Sequence, residues 1–300
     1  MSTNLNPTPD MKCAAKYVVI SPVRDEAEYI EHTISSMVQQ TVLPVEWVLV
    51  DDGSTDGTSA ILDRWARHHP WMKPIHRANR GQRAAGSGVM EAFYDGLNAI
   101  SHNDWEFLVK LDGDLAFDPQ YFEHCFAEFA ADPQLGIGGG VICHEAGGDF
   151  EVEQTPLFHV RGATKIYRRA CWESIGGLLR TPGWDTMDEV KANSMGWCTR
   201  SFPNRRVRHY RFTGAADGAW RNSIKNGIGS YICGFHPIFV LSRSIKNVTR
   251  KPYCVRAIGL LYGFVLGYLK RVPRVEDLPT IRYLRDQQLR RLTFRQTIWK

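Results

Sequence analysis

The sequence predicts an α/β domain built on a mainly parallel sheet, and three observations predict it. Apolar strand-like runs alternate with amphipathic helical stretches throughout the first half of the chain. Three charged clusters, "RDE" (24–26), "DDGSTDG" (51–57) and "DGD" (112–114), each fall where such a run ends. The chain has 300 residues, 43% of them hydrophobic and 23% charged, enough for one large core with an appendage.

The elements follow in order. "KYVVISPV" (16–23) reads as a strand, with a helix from Glu26 to Gln39 behind it. "VEWVLVDDGS" (45–54) is a second strand, and "TDGTSAILDRWARHH" opens a second helix, with Ser54 and Asp56 as its caps. "MKPIHRA" is a short third strand. Residues 86–100 form a third helix, placing Val89, Phe93, Leu97 and Ile100 at helical spacing. "WEFLVKLDGD" is the fourth strand. Ligands of such sheets bind beyond the carboxyl ends of the strands, so the three charged clusters mark one rim as the candidate site.

The second half is less regular. Residues 158–178 suggest a strand and then a short helix ending at Gly176-Gly177. "GWDTMDEVKANSMGW" (183–197) reads as a helix with Asp185 as N-cap, Asp188 at the third position and Gly196 near its end. "RVRHYRFTG" (206–214) carries His209 at the end of a strand. There is no internal repeat and no low-complexity segment.

Charge is unevenly spread. The net charge is +5, yet residues 241–300 hold 14 Lys/Arg against 3 Asp/Glu, which leaves the rest of the chain acidic. The apolar run 257–269, "AIGLLYGFVLGYL", is shorter than the ~20 residues a straight membrane-spanning helix needs. Basic residues flank it, and "LRDQQLRRL" (284–292) adds a basic helix. Two readings follow: attachment to an anionic membrane surface, or helices that close the fold. No nucleic-acid-binding motif accompanies the charge, so nucleic acid is not the expected partner. The seven cysteines lie apart without a CxxC pair and read as reduced thiols, not a zinc site or disulfide frame. The start, "MSTNLNPTPD", lacks a basic and an apolar signal region and reads as a flexible tail. The expected divisions are therefore a tail (1–15), an α/β unit (16–215) and a basic helical region (216–300), in a cytoplasmic protein peripheral to the inner face of the plasma membrane.

Two carboxylates flanking one residue at a strand end, Asp112 and Asp114, suit a divalent cation that keeps part of its shell for substrate phosphates. A phosphatase D-x-D also ends a strand, but on the first strand rather than the fourth. Gly81, Gly86 and Gly88 permit close backbone approach, and Arg80 or Arg83 can reach a phosphate. The spacing of "GQRAAGSG" is not that of a dinucleotide fingerprint.

Four segments in this order resemble the family 2 glycosyltransferases: "SPVRDEAEYI", "VLVDDGSTDGT", "NRGQRAAGSGVMEAF" and "LVKLDGDLAFDP". Asp25 stands where the family usually has Asn. The resemblance implies the GT-A fold, a Rossmann-like, mixed and mainly parallel sheet flanked by helices, and an inverting sugar transfer from a nucleotide-diphosphate donor. It implies a nucleotide-sugar site on Pro22, Glu26, Asp51, Asp52, Arg83 and Asp112. Mg²⁺ or Mn²⁺ would sit on Asp112 and Asp114, with His209 completing the shell. The family's catalytic carboxylate lies eleven residues before a Gly-aromatic pair, which counts back from Gly196-Trp197 to Asp185. Trp184 stands where that motif has Glu, so Asp188 and Glu189 remain alternatives. "RGATKIYRR" would line the acceptor side, and the acceptor would be a glycan or lipid-linked saccharide of the cell envelope. A nucleotidyltransferase would want a glycine-rich basic loop where this chain has "RDEAEY". An inactive membrane-bound scaffold would not need Asp112, Asp114 and Asp185.

Overall fold

The computed structural model describes residues 15–79, 87–146, 149–211, 218–249 and 252–299. The expected N-terminal tail, Arg83 with the rest of residues 80–86, and the boundary near residue 215 lie outside the described residues.

Four parallel strands form the first half of the sheet. β1 (Tyr17–Val23), β2 (Glu46–Asp51), β3 (Met72–His76) and β4 (Phe107–Leu111) lie in the order β3-β2-β1-β4. β1 and β2 are apolar at nearly every position because helices cover both faces. Alternate side chains of β1 therefore enter different cores. Tyr17 and Val19 pack with Ile34 and Met37 of α1 (Ile30–Val38), while Val18 and Ile20 pack with Met90 and Phe93 of α3 (Ser87–Asn98). α2 (Thr58–Ala66) follows β2.

One boundary and one helix face differ from expectation here. The first helix begins at Ile30, not Glu26, because Asp25 takes a left-handed φ of 53° and residues 26–29 close a turn through Tyr29 N–H to Glu26 O at 3.0 Å. In α3 the buried stripe runs through Met90 and Phe93, and Val89 is exposed. Phe93, Leu97 and Ile100 face the core as expected, and Met90 takes the place of Val89.

Between residues 115 and 157 the sequence offers no clear period, yet the structure places β5 (Leu115–Phe117), α4 (Tyr121–Ala131), β6 (Leu135–Ala146) and β7 (Asp149–Val152) there. Gly138, Gly139 and Gly140 hide β6 because consecutive glycines read as a loop. Here they serve close packing: a Cβ on Gly139 would lie 2.3 Å from the Thr164 carbonyl, and one on Gly140 2.4 Å from that of Arg205. β8 (Thr164–Arg168) runs antiparallel to β4 and to β6, and β9 (Cys198–His209) runs parallel to β6 and antiparallel to β5. The sheet is thus mixed, flanked by helices.

α5 (Arg169–Ile175) ends at Gly176, whose φ of 71° provides the expected stop. α6 (Trp184–Ser194) departs from expectation at its start. Its N-cap is Gly183, with φ 87°, and Asp185 lies inside the first turn rather than at the cap. A third core joins Met187 and Val190 of α6 to α7 (Gly218–Ile232), α8 (Pro237–Asn247), α9 (Val255–Leu269) and α10 (Leu278–Leu292). The apolar run 257–269 is α9. No helix among the described residues is long and apolar enough to cross a membrane.

Candidate active site

Because β2, β1 and β4 are parallel neighbours, their carboxyl ends bring the three charged clusters to one rim. Pro22 sits near the end of β1, paired with Val50 of β2. Asp51 is fully buried. It accepts from Ser54 N–H at 2.9 Å and from the Ser59 hydroxyl, and meets His76 Nδ1 at 3.1 Å. Burial alone would raise its pKa, but the bonds from Ser54, Ser59 and His76 outweigh it and hold the carboxyl below its ordinary value. Asp52, the next residue, accepts from Arg77 Nη1 at 2.7 Å, and Arg24 Nη1 lies 3.9 Å away. Gly53 takes a left-handed φ of 72°, and a Cβ there would come within 2.5 Å of Asn79 Cα, so both the turn and the close approach call for glycine. Arg24 in turn donates to Asn79 Oδ1 at 3.1 Å. Arg77 is not singled out by sequence spacing, and Arg24 only as a member of the "RDE" cluster; the fold gathers both at Asp52.

Glu26 is buried, accepts from Arg211 Nη2 at 2.8 Å, and its N–H donates to Thr58 Oγ1 at 2.9 Å. It ties the turn after β1 to the chain leaving β9. Gly113 explains the middle of the D-G-D stretch. A Cβ there would meet Val23 Cγ1 at 2.8 Å, Ile30 Cδ1 at 3.0 Å and Glu26 Cγ at 3.5 Å, so only glycine lets the two acids pass this point.

Asp112 and Asp114 diverge around that glycine. Lys110, buried in β4, donates to Asp112 Oδ1. Burial and the nearby Asp114 push the Asp112 carboxyl up, with Lys110 opposing them. The Asp112 N–H donates to Ala163 O at 2.9 Å. Asp114 is buried against His209, with Nε2 3.2 Å from Oδ2. His209 Nδ1 is buried without a hydrogen-bond partner among the described residues, and its ring centroid lies 5.1 Å from that of His144.

No group of three or more His, Cys, Asp or Glu side chains among the described residues is arranged to hold a metal unaided. Asp114 and His209 are brought together, while Asp112 engages Lys110 instead. The donor chemistry nevertheless fits a hard cation of the Mg²⁺ or Mn²⁺ kind. Such ions use one or two carboxylates and take remaining ligands from water and substrate phosphates.

α6 approaches the rim through Gly162. A Cβ on Gly162 would meet the Trp184 ring at 3.0 Å and Asp185 Cβ at 3.4 Å, and the following Ala163 carries the carbonyl that receives Asp112 N–H. Both Lys110 Nζ and Lys165 Nζ lie 5.6 Å from the Trp184 ring centroid. No hydrogen bond or ion pair among the described residues holds the Asp185 carboxylate, whose residue is half-buried. Its two alternatives differ. Asp188 is buried, with both oxygens 2.9 Å from Lys165 Nζ and Oδ2 accepting from the Tyr167 hydroxyl at 2.6 Å. Burial pushes its carboxyl up to about 6, against the pull of Lys165. Glu189 is also buried and accepts from Val160 N–H at 2.7 Å, with His159 Nδ1 at 2.8 Å and Lys165 Nζ at 2.9 Å. The carboxylates of Asp188 and Glu189 are therefore engaged inside the protein, and that of Asp185 is not.

Comparisons with known proteins bear on the family and the fold. A family model described as glycosyl transferase family 2 matches residues 18–182, more than half of the chain. The chondroitin synthase of Pasteurella multocida is 27% identical over 114 residues, 38% of this chain and 11% of that protein. The poly-β-1,6-N-acetyl-D-glucosamine synthase of Staphylococcus epidermidis is 26% identical over 117 residues, 39% of this chain and 26% of that protein. The matches thus span only a small part of these relatives' length. Among solved structures, a Pyrobaculum calidifontis mannosyltransferase in complex with GDP-Man and Mn²⁺ superimposes with a TM-score of 0.55 at 19% identity, covering 94% of this chain and 82% of that one. That likeness shows the fold, the GT-A arrangement.

Proposed function

The chain belongs to glycosyl transferase family 2, and from that premise we propose that it transfers a sugar from a nucleoside-diphosphate donor to a hydroxyl acceptor with inversion. The observation that carries the reading is the meeting at one rim of Asp52, Asp112 and Asp114 with the first turn of α6, where the Asp185 carboxylate has no hydrogen-bond or ion-pair partner among the described residues. Pro22, Glu26, Asp51 and Asp52 shape the nucleotide end: Asp51 and Glu26 brace the two loops, and Asp52 with Arg77 faces the donor. Asp112 and Asp114 would hold a divalent cation beside the donor's diphosphate, with His209 orienting Asp114. Such an ion, when bound, stabilises charge on the departing diphosphate as a Lewis acid. Asp185 accepts the proton from the acceptor hydroxyl as that oxygen attacks the anomeric carbon, and one displacement inverts the configuration. The polymer synthases among the relatives favour an acceptor that is a cell-envelope glycan or lipid-linked saccharide.

The test uses the full chain and a panel of nucleotide sugars. A matching donor should raise the melting temperature, more so with Mn²⁺, and Asp114→Asn should lose the metal-dependent part. Asp185→Asn should keep donor binding while transfer falls by about 10²–10⁴-fold, the usual worth of a positioned base. Retained transfer in Asp185→Asn would remove this residue from the reaction.

A further inference from the structure

We propose that the joint face of α8 and α9 is a docking surface for an anionic phospholipid bilayer, entered in plane rather than crossed. Two apolar stripes carry the inference. On α8, Ile238, Leu241 and Ile245 lie at helical spacing and are exposed, Ile245 by 64%. On α9, Ile258, Tyr262, Val265 and Leu269 do the same, Leu269 by 76%. The helices touch where Ser244 Oγ donates to the Ala257 carbonyl at 2.8 Å, and one residue on from each partner come exposed Ile245 and Ile258.

The inner face of α9 is already used. Gly259, Gly263 and Gly267, four residues apart, press against α7 so closely that a Cβ on Gly263 would lie 2.2 Å from the Ile224 carbonyl. Past Arg256, α9 is thus nonpolar all round, a pattern of helices surrounded by nonpolar material, yet the side chains of its outer stripe stay more than half exposed among the described residues. Its 15 residues span about 22 Å, short of the ~30 Å hydrocarbon layer.

Charge selects the occupant. From Gly218 to Val275 the sequence holds ten Lys/Arg and no Asp or Glu. Exposed Lys246, Arg256, Lys270 and Arg271 lie on or beside these two helices. An apolar face rimmed by only positive charge suits lipid tails beneath anionic head groups and disfavours a second copy of itself. Trp220, stacked on Tyr262 with centroids 6.0 Å apart, adds the amphipathic rings that settle at a head-group layer. The docking face also leads to the site. α9 packs on α7, and Cys233 just past the end of α7 sits against Gly183, the N-cap of α6, where a Cβ would be 2.3 Å from its sulfur. A docked α9 therefore holds Asp185 close to whatever acceptor the bilayer carries. That last clause rests on the transfer reading; the docking does not.

The experiment is vesicle co-sedimentation of the full chain without donor. Vesicles of equal parts phosphatidylcholine and phosphatidylglycerol should bind it, phosphatidylcholine alone should bind at least tenfold more weakly, and added salt should release it. The variant I245E/V265E/L269E should lose binding by at least about tenfold at unchanged melting temperature. R256E/K270E, which leaves the apolar stripe intact, should weaken binding to the anionic vesicles. Binding unaffected by the triple variant would overturn the proposal. So would a wild-type dimer that the triple variant dissociates, with no vesicle binding by either. Failure of sugar transfer with intact vesicle binding would count only against the catalytic reading.

Discussion

Lys165 has the densest set of partners near the site: both oxygens of Asp188, Oε1 of Glu189 and the carbonyl of Asp185. Its Nζ pins the first turns of α6 to the sheet, so it positions Asp185 without touching substrate. Lys165→Met strands two buried carboxylates and should cost about 3–5 kcal/mol. The sign with pH follows from Asp188. Its folded pKa of about 6 lies above its ordinary 3.8, so its contribution favours the fold at low pH and is lost as pH rises through about 6. Removing the ammonium raises that carboxyl further. The melting deficit of Lys165→Met should therefore be larger at pH 8 than at pH 5; a deficit independent of pH would mean that the lysine's packing, not its charge, matters. At this scale the acids were legible and the cations were not. Asp51, Asp52, Asp112 and Asp114 announce themselves through strand-end spacing, whereas Lys165 and Arg77 acquire partners only when distant elements align.

Elements show the same division between local pattern and long-range contact. The strands at 17–23, 46–51, 72–76 and 107–111 and their helices follow from apolar periodicity, because each decides its face within one window. β6 was hidden because its glycines answer to the backbones of β8 and β9, which no local window contains. The start of α6 was misplaced for a related reason: Gly183 supplies a left-handed cap that Asp185 mimics on paper. The α7–α9 pair offers a direct check. Gly263→Val forces a side chain into the Ile224 carbonyl and should destabilise by about 2–3 kcal/mol, read as a melting temperature lower by several degrees. Gly229→Ala, with nothing within 4 Å of the new methyl, should change it little.

Across the whole molecule, the expected rim, mixed sheet and basic C-terminal helices are all present, and their mutual arrangement is what the sequence withheld. The sequence left the 257–269 run open between an interfacial helix and one closing the fold. One side of α9 closes the fold through Leu260 and Phe264, and the other is bare. That bare side has a colloidal consequence. Two molecules meeting through it bring together matching apolar stripes and like charges at once. At low ionic strength the repulsion reaches ~30 Å and keeps them apart; near 1 M salt it shrinks to ~3 Å and the stripes can touch. Light scattering should therefore show dispersed particles in dilute buffer and clusters in brine, the reverse of a protein whose copies are held together by opposite charges.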